Sequence, residues 1–216
     1  MSESYAKQFY DRISHAYDLI ADGGERAARE RGLTLLDVQE GESVLEIGYG
    51  TGHSLTALAK QVGDSGRVTG IDISTGMRDV AEKRLAEAGL SDRVDLLVEE
   101  VPPMSCDSDD FDAITMSFTL ELFPLETIPS VLKECGRVLR PSGRLGVVSM
   151  ATVSEDEKES LMERAYVWMH THFPHIVDCQ PIQVEALLED NGFKCITRER
   201  VDLFSMPVAI VVAKKA

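Results

Sequence analysis

Glu46, Gly48, Gly50, Gly52 and Asp72 are the residues whose types and spacing carry chemistry. The stretch Ser43-Val44-Leu45-Glu46-Ile47-Gly48-Tyr49-Gly50-Thr51-Gly52 reads as a short apolar strand closed by an acid and three alternate glycines. A helix-compatible segment follows, and twenty residues past Gly52 a second apolar run carries Asp72. Strand, glycine turn, helix, then an acid at the tip of the next strand is how an α/β sheet binds a nucleoside. Glycine takes φ > 0 where the turn needs it and lets backbone approach a ligand. An ionised Asp72 suits a ribose diol, because a carboxylate accepts two hydrogen bonds. An ordinary tight turn would explain the glycines but not the two acids.

Holding these groups in place requires strands and helices in alternation. Strands are expected at 43–48, 67–73, 93–98, 111–118 and 144–150, with a closing pair near 193–201 and 205–213. Helices are expected at 3–20, 24–38, 52–62, 75–89, 125–139, 155–172 and 181–190. Leu55, Leu58, Ala59 and Val62 fall on one face of the 52–62 segment, and Gly89 stops the helix that precedes it. Arg140-Pro141-Ser142-Gly143 reads as a loop launching the strand at 144. Such alternation predicts an α/β fold, a mostly parallel sheet with helices on both faces.

The 216 residues suit one domain with a sizeable core. The formal charge of −15, with 37 Asp and Glu against 22 Lys and Arg, argues against a nucleic-acid partner. The same field repels an anionic membrane surface. The N-terminal residues lack the apolar core of a signal peptide, and no run approaches the ~18 apolar residues of a membrane span. Cys106, Cys135, Cys179 and Cys195 show no CxxC spacing, so reduced thiols and a cytoplasmic location are expected.

The glycines are spaced G-x-G-x-G, one residue tighter than the dinucleotide fingerprint G-x-G-x-x-G. The pattern E-x-G-x-G-x-G resembles motif I of the class I S-adenosylmethionine (SAM) methyltransferases, whose ligand has no pyrophosphate. Arg137-Val138-Leu139-Arg140-Pro141-Ser142-Gly143-Arg144-Leu145 is similar to that family's "RVLKPGG" helix-to-strand turn. From about Phe9 onward the chain resembles the ubiquinone/menaquinone C-methyltransferases and related small-molecule enzymes. The resemblance implies a Rossmann-like, three-layer, seven-stranded sheet with the last strand antiparallel. It implies SAM as methyl donor, S-adenosylhomocysteine as product, and a small-molecule acceptor such as a quinone-like ring, a lipid amine or a secondary metabolite. Residues 1–40 would form an N-terminal helical cap, and 151–180 a helical insertion lining the acceptor pocket.

Carried over by position, the resemblance assigns Glu46 to the methionine amino group and Gly48, Tyr49, Gly50 and Gly52 to backbone contacts. It assigns Asp72 to the ribose and Ile73 and Met77 to the two faces of the adenine. Glu100 and Val101 stand where the family usually has Asp-Ala, and would meet the adenine edge. Ser117 would line the sulfonium side. Tyr10 and Tyr17, seven apart, would help close the site.

No single catalytic residue is dictated, because displacement at a sulfonium needs chiefly alignment. Glu121, His170, His172 and His175 are the candidates for a base. His170, His172, His175 and Cys179 match no justified metal spacing, so no metal is expected. Two other functions compete: a non-catalytic SAM-binding or partner-binding module, and an NAD-dependent oxidoreductase. The tight glycine spacing and the C-terminal strand pair count against the second. A monomer or homodimer is expected.

Overall fold

The computed structural model describes residues 25–152, 180–203 and 206–216. The expected helices at 3–20 and 155–172 lie outside them. In chain order the elements are α1 (Glu25–Leu36), β1 (Ser43–Ile47), α2 (His53–Val62), β2 (Arg67–Asp72), α3 (Thr75–Glu87), β3 (Val94–Val98) and β4 (Phe111–Ser117). After these come α4 (Ile128–Val138), β5 (Leu139–Met150), α5 (Val184–Asp190), β6 (Phe193–Leu203) and β7 (Met206–Lys215). Short 3-10 turns occur at Ser91–Arg93 and Leu120–Leu122.

The strands form one seven-stranded sheet in the order β3-β2-β1-β4-β5-β7-β6. The first five strands are parallel to their neighbours, and β7 runs antiparallel between β5 and β6. The chain therefore reverses direction of travel across the sheet between β1 and β4. A crevice opens at such a point, at the carboxyl ends of the strands.

Alternation along each strand sends side chains to two apolar layers. Leu45 and Ile47 of β1 join Ile114, Met116, Leu145 and Val147 against α4 and α5. Val44 joins Val68 and Ala113 against α2 and α3. Glu46 has the parity of Val44, so it belongs to the face covered by α1 and α2. Each apolar side chain sealed in these layers contributes roughly 1.5–3 kcal/mol.

Helix α1 sits unusually close to the sheet. It buries Ala28, Gly32, Leu33 and Leu36. A Cβ on Gly32 would lie 2.4 Å from Val148 Cγ2, so only glycine permits this approach.

One expectation is corrected. The 140–143 stretch is part of β5, which begins at Leu139 and not at residue 144. Leu139 pairs with Phe111, and pairing resumes at Ala113 with Arg144 after a register shift. Residues 140–143 stand opposite Asp112 alone, so three extra residues are accommodated as a bulge between flanks that stay held in the ladder.

Candidate functional site

The loop after β1 is fixed from three sides. Gly48, Gly50 and Gly52 have φ of 75°, 51° and 81°, conformations that side chains resist. Gly48 N–H donates to Ile71 O at 2.7 Å, tying the loop to β2. A Cβ there would lie 2.4 Å from Thr119 Cγ2 and Oγ1. A Cβ on Gly52 would lie 2.9 Å from Ala81 Cβ of α3. These two glycines therefore admit other parts of the protein. Gly50 differs, since among the described residues nothing lies within 4 Å of a Cβ there. The space over Gly50 is where a ligand has room to lie against backbone.

Asp72, at the tip of β2, organises this loop. Its Oδ2 accepts from Gly50 N at 2.8 Å, and its Oδ1 accepts from Ser74 N at 2.9 Å. One carboxylate thus joins the glycine turn to the start of α3. Ser74 caps that helix, its Oγ accepting from Met77 N at 3.0 Å. The Asp72 carbonyl in turn accepts from Glu99 N at 3.1 Å.

Glu46 is an acid inside the sheet, 2% exposed. Its Oε2 has no hydrogen-bond partner among the described residues. Burial pushes its carboxyl up to about 8, Ser54 and Arg29 pull it partly back, and Asp72 adds to the rise. A buried acid with an unused oxygen is matched by a ligand cation, which would hold it ionised.

Tyr49 is buried with its ring over Gly70, where a Cβ would lie 2.8 Å from Cδ1. Burial pushes its phenol pKa up, and Asp72 adds to the effect. Met77 is sealed in the same apolar cluster as Tyr49, Leu55 and Ala81. Ile73 is half-buried beside Asp72, and Glu100 is exposed. Val101 packs against the larger core cluster. Ser117 Oγ, at the end of β4, is buried and has no partner among the described residues.

Beyond Ser117, Phe118 takes φ of 54°. A bulky residue in the left-handed region is uncommon and costs free energy. Nothing in the sequence signals it. Phe118 N–H donates to Val148 O at 2.7 Å, which anchors the bend. The bend brings Thr119 against Gly48 and turns Glu121 inward.

Glu121 is 1% exposed. Its Oε1 accepts from Met150 N at 3.0 Å. Its Oε2 has no partner among the described residues. Burial pushes this carboxyl up to about 7; Met150 N and Ser149 oppose the rise and Glu25 of α1 adds to it. The structure thus places Glu46, Gly48, Gly50, Asp72, Ser117 and Glu121 at or just past the carboxyl ends of β1, β2 and β4. Tyr10, Tyr17, His170, His172, His175 and Cys179 lie outside the described residues. Among the described residues no group of three or more His, Cys, Asp or Glu is placed to hold a metal ion. No helix among them is long and apolar enough to cross a membrane.

Residues 44–143 match a family model described as a methyltransferase domain. The chain is 26% identical to the demethylmenaquinone methyltransferase of Lactobacillus johnsonii, over 99% of this chain and 94% of that one. It is 34% identical to the nocamycin O-methyltransferase of Saccharothrix syringae, over 64% of this chain but 48% of the relative. Among solved structures, a SAM dependent methyltransferase from Aquifex aeolicus superposes with a TM-score of 0.66 at 25% identity. That superposition covers 90% of this chain and 95% of that one. The orphaned Glu46 oxygen, the open volume over Gly50 and the carboxylate of Asp72 fit the amino, backbone-facing and ribose parts of SAM. The chain is similar to the class I SAM-dependent methyltransferases, the demethylmenaquinone methyltransferases among them.

Proposed function

We propose that this methyltransferase acts on a small, quinol-like ring, and that its donor is held by the residues of the β1 and β2 tips. The observation that carries the donor assignment is the pairing of the orphaned Glu46 Oε2 with the open space over Gly50. Glu46 takes the donor's ammonium, and the backbone of Gly48 to Gly52 lies along it. Asp72 takes the ribose hydroxyls while keeping the loop in shape. Ile73 borders the adenine directly. Met77 supports that wall from within the core, and Glu100 and Val101 stand at its edge. Tyr49 contributes backbone, since its ring is committed to Gly70. Ser117 closes the sulfonium side.

SAM supplies an electrophilic methyl group on a sulfonium, a good leaving group. The protein's part is alignment, which contributes roughly 7–11 kcal/mol when two reactants are held in attack geometry. The ring class rests on the demethylmenaquinone methyltransferases among the relatives. Tyr10 and Tyr17 are assigned to closing the SAM site, and His170, His172 and His175 to the acceptor pocket.

Calorimetry with S-adenosylhomocysteine and with NADH tests the donor. The homocysteine product binds and NADH does not; the reverse outcome restores the oxidoreductase reading. Asp72→Ala weakens product binding at least tenfold, and unchanged affinity removes Asp72 from the ribose. Transfer of label from SAM to 1,4-dihydroxynaphthalene tests the acceptor. Persistent failure across phenols and amines would favour a binding module without turnover.

A further inference from the structure

Glu121 is held in a way that bare packing does not require. The Phe118 bend carries it to the carboxyl ends of β4 and β5, two residues beyond the Thr119 that touches Gly48. Met150 N fixes Oε1 at 3.0 Å, which fixes the direction of Oε2 as well. Oε2 is buried and unpartnered among the described residues, a state that is unfavourable when nothing offsets it. Among the described residues the charged group that bears on it is another acid, Glu25 of α1; Ser149 and the Met150 amide are its polar neighbours. An anion entering beside Oε2 meets the Glu121 and Glu25 carboxyl groups, whereas a neutral O–H or N–H meets an acceptor.

We propose that Glu121 Oε2 receives the acceptor's proton during methyl transfer, and that the acceptor is accordingly a neutral molecule with an acidic proton rather than a carboxylate or phosphate. The proposal rests on the methyltransferase reading above. In the step, the acceptor atom forms its bond to the methyl carbon as the carbon–sulfur bond breaks, and that electron pair goes to sulfur. The acceptor's proton goes to the Glu121 carboxylate, so the sulfonium charge and the carboxylate charge are both consumed. No oxidant or further reactant is needed. Proton removal of this kind contributes roughly 10²–10⁴-fold.

The test uses the full chain saturated with S-adenosylhomocysteine, with 1-naphthol and 1-naphthoate as calorimetric probes. Naphthol binds at least tenfold tighter than naphthoate. Glu121→Gln narrows that preference by tightening naphthoate, while affinity for the homocysteine product stays within twofold. A group that merely pins Met150 would not favour the anion when neutralised. In single turnovers with SAM and 1,4-dihydroxynaphthalene, Glu121→Gln slows transfer at least 100-fold and Glu121→Asp restores part of it. Equal affinity for the two naphthalenes, binding of neither, or an unaltered Glu121→Gln variant overturns the proposal. Failure of the homocysteine product itself to bind would overturn the methyltransferase reading first, and this assignment with it.

Discussion

Two carboxyl groups sit where water cannot reach them, and their protons report on both stability and binding. Glu121 keeps its proton up to about 7 when folded, against an ordinary value of 4.5. The folded state therefore binds more protons than the unfolded chain between those values, and stability falls as pH climbs through that window. Glu121→Gln removes the penalty. It should raise Tm by at least ~2 °C at pH 8, with the gain shrinking toward pH 5. A gain that is equal at both values would contradict the burial argument.

Glu46, pushed to about 8, is mostly protonated at pH 7. A ligand ammonium beside it favours the ionised form, so S-adenosylhomocysteine should release a proton as it binds. Calorimetry in two buffers of different ionisation heat measures this. Release should fade above pH 8, while affinity strengthens as pH rises toward that value. The absence of proton release at pH 7 would detach Glu46 from the amino group.

At the scale of elements, the glycine turn is a joint between β1, β2, α3 and the bend after β4. Gly48 is the tightest point, with φ of 75° and Thr119 atoms 2.4 Å from where a Cβ would stand. The left-handed conformation alone costs an alanine about 1–2 kcal/mol. Gly48→Ala should lower S-adenosylhomocysteine affinity more than tenfold while leaving the far-UV circular dichroism unchanged. Adding Thr119→Ala removes the two closest atoms and leaves Cβ at 3.0 Å, so it should restore part of the loss. No recovery in the double variant would show that backbone strain, and not the clash, decides.

Across the whole molecule, Arg144 of β5 ties the C-terminal end of α1 to Glu42, the residue that enters β1. Arg144 of β5 donates to Glu42 Oε1 at 2.9 Å and to Glu42 Oε2 at 2.7 Å. It also donates to Leu36 O at 2.5 Å and Asp37 O at 2.7 Å, just past the end of α1. Both ion-pair side chains are largely buried, at 15% and 19% exposure. Burial pushes Glu42 up, but Arg144 and the Gln39 N–H together hold its carboxyl below the ordinary value. The clamp's contribution is thus present above about 4.5 and lost as pH falls. Arg144→Met should cost roughly 2–3 kcal/mol at pH 7, because it strands the carboxylate and two carbonyls. Tm should drop by ~4–12 °C, with a smaller drop at pH 4. A pH-independent loss would mean the arginine stem, and not its charge, carries the effect.

Local chemistry made much of this legible in the residues alone. Alternating apolar runs, with glycine and proline between them, are periodic signals that need no partner to be read. They set β1 to β4, α1 to α5 and the closing pair β6 and β7 within a few residues. The tight glycine spacing and the two acids likewise pointed to the donor. Long-range geometry decided the rest. That Asp72 builds the loop depends on Gly50 and Ser74 converging on it. The inward turn of Glu121 depends on Phe118 taking a conformation its side chain disfavours, which packing against Val148 and Met150 enforces. The start of β5 at Leu139 depends on Phe111 across the ladder. A sequence carries the propensity of each segment, but burial and strain arise only when segments distant in the chain meet.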